Sequence, residues 1–270
     1  FLYMPLTAPH TPILPSEEFR GKSGLSPYGD FVMMVDDVVA QIVARLKEQG
    51  LYENTVVVFA ADNGCFHGAG VKEMEAGGHF PSYIYRGYKS DLFDGGHRVP
   101  LVVSRGGKNG GRVERGLVSL TDFYATFAEM AGYRLTPGEG EDSYSLWGVV
   151  TGKGGNLRPD AVHHSNNGSF SLREGRWKIL FTAGSGGWSF PTFPKDREYI
   201  ATLPSMQLYD LESDPGETKN VIAEHPDVVR RLTARMREHI ERGRSTPGPV
   251  QTNETRGEWK QTALFMNEAE

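Results

Sequence analysis

A single cysteine, Cys65, stands among the 270 residues. One thiol closes no internal disulfide and builds no cysteine-based zinc site. No apolar run approaches the roughly 18–20 residues that a membrane-spanning helix needs; the best, residues 55–61, is the length of a strand. Basic charge is not in surplus either, since 29 Lys and Arg face 34 Asp and Glu, a net charge of −5. A nucleic-acid partner wants a basic face, and the one basic-leaning stretch, residues 230–244, is interleaved with Glu238 and Glu241 like a solvated helix. Also missing are the Gly-x-Ser-x-Gly elbow, His-Glu-x-x-His and the phosphate-cradling Gly-x-x-x-x-Gly-Lys-Ser/Thr. The commonest serine-hydrolase, zinc-protease and nucleotide chemistries therefore have no foothold.

What is present is loop-rich and globular. The 33 glycines and 16 prolines make up about 18% of the chain, against about 12% on average. Residues 1–6 form a short apolar run read as a strand, halted by Pro9, Pro12 and Pro15. From Phe31 the apolar positions Met34, Val35, Val38, Ile42 and Leu46 recur at helical spacing, with acidic residues early, basic ones late and Gly50 at the close. Residues 55–61 are β-branched without polar alternation, as in a strand buried on both faces of a parallel sheet. A β-α-β unit is the natural reading, continued by a strand over residues 99–104 and a helix over residues 120–131. The segment 65–96 reads as one long loop. Beyond residue 151 the pattern predicts short antiparallel strands over 161–165, 169–173, 177–181 and 207–211, then a helix over 226–240 and a polar, frayed tail.

Candidate chemistry gathers where strands end. Asp62 and Asn63 follow the strand at 55–61 and offer two hard oxygen donors suited to Ca²⁺ or Mg²⁺ rather than zinc. Asn63-Gly64 is also a common hairpin turn, but no strand pattern follows to make a hairpin. His10 can donate a proton near neutral pH, or it is a solvated loop histidine. Lys89, two residues after Gly87, is a point charge for a sulfate or phosphate oxygen, or an ordinary surface lysine. His79 and Arg86 lie in the same long loop and can face a substrate. The Asp94-Gly95-Gly96 segment reads as a tight turn whose glycines are conformational. Trp177 and Trp188 read as core or turn packing rather than a sugar platform, and His163 and His164, as strand neighbours, cannot serve one metal.

The order of these pieces resembles the C-terminal half of the type I sulfatases, of the alkaline-phosphatase-like superfamily. The resemblance is carried by Phe1-Leu-Tyr-Met-Pro-Leu-Thr-Ala-Pro-His10-Thr-Pro, Thr55-Val-Val-Val-Phe-Ala-Ala-Asp62-Asn63-Gly64, Tyr85-Arg-Gly-Tyr-Lys89-Ser-Asp-Leu-Phe-Asp94-Gly-Gly-His-Arg-Val-Pro100 and Leu208-Tyr-Asp-Leu-Glu-Ser-Asp214-Pro-Gly-Glu217. It implies an α/β fold: a mixed sheet flanked by helices, plus a small antiparallel subdomain with a C-terminal helix. Residues 1–150 would belong to the catalytic domain, 151–244 to the subdomain and 245–270 to a tail. It further implies that Asp62 and Asn63 are late ligands of a calcium ion, that His10 contacts the sulfate near the leaving oxygen, and that Lys89 binds a sulfate oxygen.

Two departures from the family pattern stand out. The formylglycine precursor of the family begins Cys/Ser-x-Pro-x-Arg, whereas Cys65 is followed by Phe-His-Gly and no serine starts such a motif. Asp94 stands where the family often has Glu, a change expected to matter little because the glycines remain. The expectation is a calcium-dependent sulfatase acting on a sulfated carbohydrate or aryl sulfate, whose nucleophile lies outside this chain, so that these residues alone are inactive. The long loop with His79 and Arg86 favours a sulfated sugar, and family resemblance favours a periplasmic or secreted bacterial protein. The alternatives are a phosphoric ester or phosphonate hydrolase of the same superfamily and a non-catalytic binder of sulfated glycans.

Overall fold

The computed structural model describes residues 1–108, 110–155, 157–252 and 259–266. They form two compact units, one of residues 1–84 and 98–110, the other of residues 85–97 and 111–270.

The first unit is built on helix α1 (Pro27–Glu48) and a two-stranded ladder of β1 (Val56–Ala60) and β2 (Leu101–Arg105). Ser26 caps α1 through its hydroxyl, which accepts from the Gly29 amide, and Pro27 occupies the first turn, where a missing N–H costs nothing. The helix starts earlier than the apolar stripe alone suggests because cap and proline precede that stripe. Of the stripe, Phe31 and Val35 are buried.

Three expectations for this unit are corrected. β1 and β2 pair antiparallel, Val56 opposite Arg105 through Ala60 opposite Leu101, so the parallel β-α-β reading fails. β1 has a neighbour on one edge only among the described residues and is half-buried rather than covered on both faces. A run of β-branched residues reports strand propensity; it does not report the direction of the partner. Residues 1–6 form no strand and lie exposed, since an apolar run becomes a strand only where a ladder satisfies its backbone groups. The long loop is also not structureless: helix α2 (Val71–Ala76) interrupts it, with Val71 and Met74 buried and Gly70 in the left-handed conformation before it.

The second unit begins with a one-turn helix, α3 (Asp94–His97), and continues through α4 (Phe123–Met130), preceded by a 3-10 turn with a Ser119/Asp122 capping box, and α5 (Trp147–Val150). Then comes the expected antiparallel sheet in sequential order: β3 (Asp160–His164), β4 (Phe170–Glu174), β5 (Trp177–Leu180) and β6 (Gln207–Asp210), with the short α6 (Arg197–Ile200) before β6. Helix α7 (Pro226–Arg242) follows, ended by Gly243 at φ 60°, and α8 (Ala263–Met266) comes last.

Strand neighbours point to opposite faces, so this sheet has two different sides. Leu172, Ile179 and Leu208 share one side with Val228, Leu232 and Met236 of α7 in an apolar core. Arg173, Lys178 and Leu180 point the other way, where Leu92, Phe93 and Tyr209 pack. The expected frayed tail is corrected in its described part. Thr246 is buried and its hydroxyl donates to the Glu141 carbonyl, and Phe265 is fully buried in the α7 core. The remainder of that tail, residues 253–258 and 267–270, lies outside the described residues.

Candidate functional site

In the first unit, the chain leaves β1 and bends at once, which puts Asp62 and Asn63 just past the strand end with no second strand following. The Asn63 amide donates to Asp62 Oδ1 at 2.6 Å, so the two side chains already converge. The other Asp62 oxygen has no partner among the described residues. Turning the amide by half a rotation would present its oxygen beside the carboxylate, giving a pair of hard donors to one cation. These residues fit Ca²⁺ by donor chemistry, yet they supply only part of a shell of six to eight oxygens. Among the described residues no group of three or more His, Cys, Asp or Glu gathers as a metal cluster.

His10 is exposed in a turn, its backbone amide bonded to Thr7 and its Nδ1 donating to the Thr11 carbonyl at 2.8 Å. That bond orients the ring and leaves Nε2 for proton exchange. His79 is exposed just after α2, its amide bonded to the Met74 carbonyl. Cys65 is half-buried; burial pushes its thiol up, and it interacts with the Tyr28 hydroxyl, so it is a poor nucleophile. A cleft of about 520 Å³ in this unit is lined by residues from Ile13 to Asp30 and includes none of the candidates.

In the second unit, Lys89 sits in a turn between two left-handed residues, Gly87 at φ 82° and Ser90 at φ 86°. Gly87 takes that conformation freely; Ser90 does so under constraint. The constraint is Asp91. Its buried carboxylate accepts from the amides of Tyr88 (2.8 Å), Trp188 (2.9 Å) and Ser189 (3.1 Å) and from the Ser189 hydroxyl. The Ser90 carbonyl is itself taken by the Asn166 amide at 3.1 Å. On this fixed turn the Lys89 side chain is half-buried, and its ammonium makes no hydrogen bond or ion pair among the described residues.

Arg86 behaves differently. It donates to the carbonyls of Glu217 (3.0 Å) and Phe190 (3.3 Å) and lies over the Phe93 ring at 3.9 Å, so its guanidinium is committed to holding this unit together.

Sequence reasoning missed a buried ionic cluster behind that turn. Lys178 is fully buried, 2.7 Å from Asp94 Oδ1 and 2.9 Å from Glu217 Oε1, the latter an ionic contact without hydrogen-bond geometry. The Asp94 amide donates to Glu217 Oε2 at 2.6 Å. Burial would raise the Asp94 carboxyl, but the Lys178 ammonium, with Arg173, reverses this and holds it well below the usual carboxylate range. Burial, with the charge of Asp94 nearby, pushes the Glu217 carboxyl up. His97 stacks on His163 at 3.7 Å and has Lys178 Nζ 3.2 Å from its Nε2; burial and then that cation push its pKa down to about 3. Asp94 is therefore not a loosely tolerated turn residue, and its neighbouring glycines are not there for unusual φ. A Cβ on Gly95 would collide with the carbonyls of Gly87 and Arg86, and one on Gly96 with those of Asp91 and Tyr88. The signal was half present: Asp94 and Glu217 both lie in the blocks that carried the resemblance, whereas nothing local to Lys178 in its strand marks it as a buried cation. Trp177 does pack against the apolar core, but Trp188 is 43% exposed and is not core.

The Sulfatase family profile matches residues 1–133. An N-acetylgalactosamine-6-O-sulfatase of Bacteroides thetaiotaomicron is 31% identical over 239 residues, covering 86% of this chain and 45% of that protein. Human arylsulfatase A is 31% identical over 231 residues, covering 82% and 44%. A solved Bacteroides thetaiotaomicron structure from work on the metabolism of multiple glycosaminoglycans superposes with a TM-score of 0.73 at 29% identity, over 86% of this chain and 48% of that one. The chain thus spans less than half the length of these relatives.

Proposed function

The chain belongs to the sulfatase family, and from that premise we propose that the whole protein hydrolyses sulfate esters, with a sulfated carbohydrate as its substrate. The observation that carries this reading is the 31% identity running across 86% of the chain to an N-acetylgalactosamine-6-O-sulfatase. In this reading Asp62 and Asn63 hold a calcium ion, with the rest of its ligands supplied from other residues. Bound there, the ion supplies charge stabilisation to the sulfate oxygens. Lys89, held out on its fixed turn, pairs with a sulfate oxygen as a point charge. His10 passes a proton to the oxygen of the departing alcohol as the sulfur–oxygen bond breaks. His79 contacts the sugar. Arg86 keeps the Lys89 segment in place and does not bind substrate, in keeping with its two carbonyl partners.

The attacking nucleophile is assigned to a formylglycine outside these 270 residues, since no Cys/Ser-x-Pro-x-Arg occurs among them. These residues alone are then inactive, and sulfate release from the pure 270-residue chain would refute that point. Export to the periplasm or beyond suits a polymer substrate.

The test is sulfate release by the whole gene product from 6-sulfated N-acetylgalactosamine and from an aryl sulfate. Turnover should fall on the order of a hundredfold or more in Lys89→Ala and Asp62→Ala, as for removal of a single charge-stabilising group. Calcium titration should show weakened binding in Asp62→Ala only. Glycan binding with no release from any sulfate or phosphate ester would replace the enzyme by a non-catalytic binder.

A further inference from the structure

Four aromatic side chains stand exposed within twelve residues of the second unit: Trp188 (43%), Phe190 (59%), Phe193 (64%) and Tyr199 (48%). Exposed aromatic surface of this density is uncommon on a protein with nothing to bind. The backbone beneath it is, by contrast, firmly held. Ser185, Gly186 and Pro191 are buried. The Ser185 carbonyl accepts from Leu92, and its amide donates to Pro191. The Thr192 hydroxyl donates to the Gly187 carbonyl at 2.6 Å, and the Gln207 amide donates to that of Gly184 at 2.9 Å. A loop fixed by this many bonds, with its aromatics turned outward, is a preorganised contact surface, because binding to it costs little ordering.

Its backbone is joined to the turn that carries Lys89. Asp91 accepts from the Trp188 and Ser189 amides on one side and the Tyr88 amide on the other. Gly187 packs so closely that a Cβ there would lie 2.5 Å from Ser90 backbone atoms and from Asp91 Oδ1. The residue after Gly187 is Trp188, and the residue before Ser90 is Lys89. One buried carboxylate therefore ties the backbone turn that carries Lys89 to the backbone turn that carries Trp188. A pyranose ring offers an apolar C–H face and a rim of hydroxyls, which suits an exposed aromatic face.

We propose that Trp188, on the loop pinned by Asp91, is the platform on which the sugar ring adjoining the sulfate stacks, with Phe190 extending it. This rests on the reading of Lys89 as a sulfate contact, and it makes Trp188 a specificity residue for sulfated carbohydrate over small sulfate esters.

The test is calorimetric binding by the whole gene product of two probes, a 6-sulfated N-acetylgalactosamine disaccharide and inorganic sulfate. Variants are Trp188→Ala, Trp188→Phe and Lys89→Ala, each checked for an unchanged circular dichroism spectrum. Stacked aromatic contacts imply a loss on the order of three- to tenfold for the disaccharide in Trp188→Ala, near-complete rescue in Trp188→Phe and no change for inorganic sulfate. Equal disaccharide affinity in wild type and Trp188→Ala overturns the proposal, as does a wild type that binds no disaccharide. Lost self-association in Trp188→Ala with unchanged sugar affinity also overturns it and assigns the face to a second copy of the chain. Lys89→Ala is read separately: unaltered sulfate binding there sinks the role of Lys89, while the Trp188 comparison still decides the platform.

Discussion

The two units of the chain handle the same problem, an apolar strand, in opposite ways. In the second unit β4, β5 and β6 are covered on both faces, by α7 and α8 on one and by residues 85–97 on the other, and Leu172, Ile179, Leu180 and Leu208 are fully buried. In the first unit β1 and β2 pair only with each other among the described residues and neither strand buries a residue completely. A two-stranded ladder is marginal by itself. The first unit therefore carries its candidate groups, His10, Asp62, Asn63 and His79, on exposed ends and turns with few tertiary restraints, whereas the second holds Lys89 on a turn braced by a buried carboxylate. The lesson is that a short strand's stability lies in what covers its faces, and that precision at a site follows the bracing beneath it.

Several measurements would break or sharpen this contrast. The largest effect is expected from Lys178→Ala, which leaves Asp94 and Glu217 buried without their cation. Stability should fall by about 3–5 kcal/mol in urea unfolding, and a loss below about 1 kcal/mol would show that the cluster is not the brace described here. Next, Leu232→Ala in the α7 core should cost about 2–5 kcal/mol, against less than about half of that for Val58→Ala in half-buried β1. Similar costs at both positions would erase the difference between the units.

Acid should act on the second unit first. The folded pKa of His97 is lowered to about 3 from 6.5, and that of His163 is also lowered. Below 6.5 the unfolded chain takes up protons that the folded one refuses, so stability declines as pH falls from 6.5 toward 3. Asp94, held low, loses its contribution only below its unfolded value of 3.8, and Glu217, raised, works in the opposite sense. One-fifth of the His97 side chain is exposed, which moderates the effect. His97→Gln should flatten the melting-temperature profile between pH 6.5 and 4.5, and an unchanged slope would remove His97 as its source. The smallest change should come from Ser26→Ala, which removes the N-cap of α1 for about 1 kcal/mol. Amide exchange in the first turn of α1 would show that loss locally.

Much of this molecule was readable in its residues. The stripe from Phe31 to Leu46 is helical because apolar side chains at three- and four-residue spacing share one face of a helix. The four strands from residue 160 onward declared themselves through short runs and glycine turns, and their sequential antiparallel order follows from those short connections. Asp62, Asn63 and Lys89 were visible as donors and charge beside strand ends and glycines. The pairing of β1 was not visible, because Val56–Ala60 reads the same whichever way its partner runs. Nor were Arg86, Trp188 and Lys178 legible, since the same side chain serves as anchor, exposed platform or buried cation according to what the fold brings beside it.

The sequence by itself determined where α1, α7 and the four strands from residue 160 onward form and which residues carry charge, donors and aromatic surface, because these depend on local spacing and side-chain chemistry. Only the tertiary structure decided that Asp91 joins the Lys89 turn to Trp188, that Lys178 sits between Asp94 and Glu217, and that β1 meets β2 head to tail. Those contacts link residues 39 to 123 positions apart, and long-range partners are fixed by burial and by the need to satisfy every buried polar group, which no local pattern encodes.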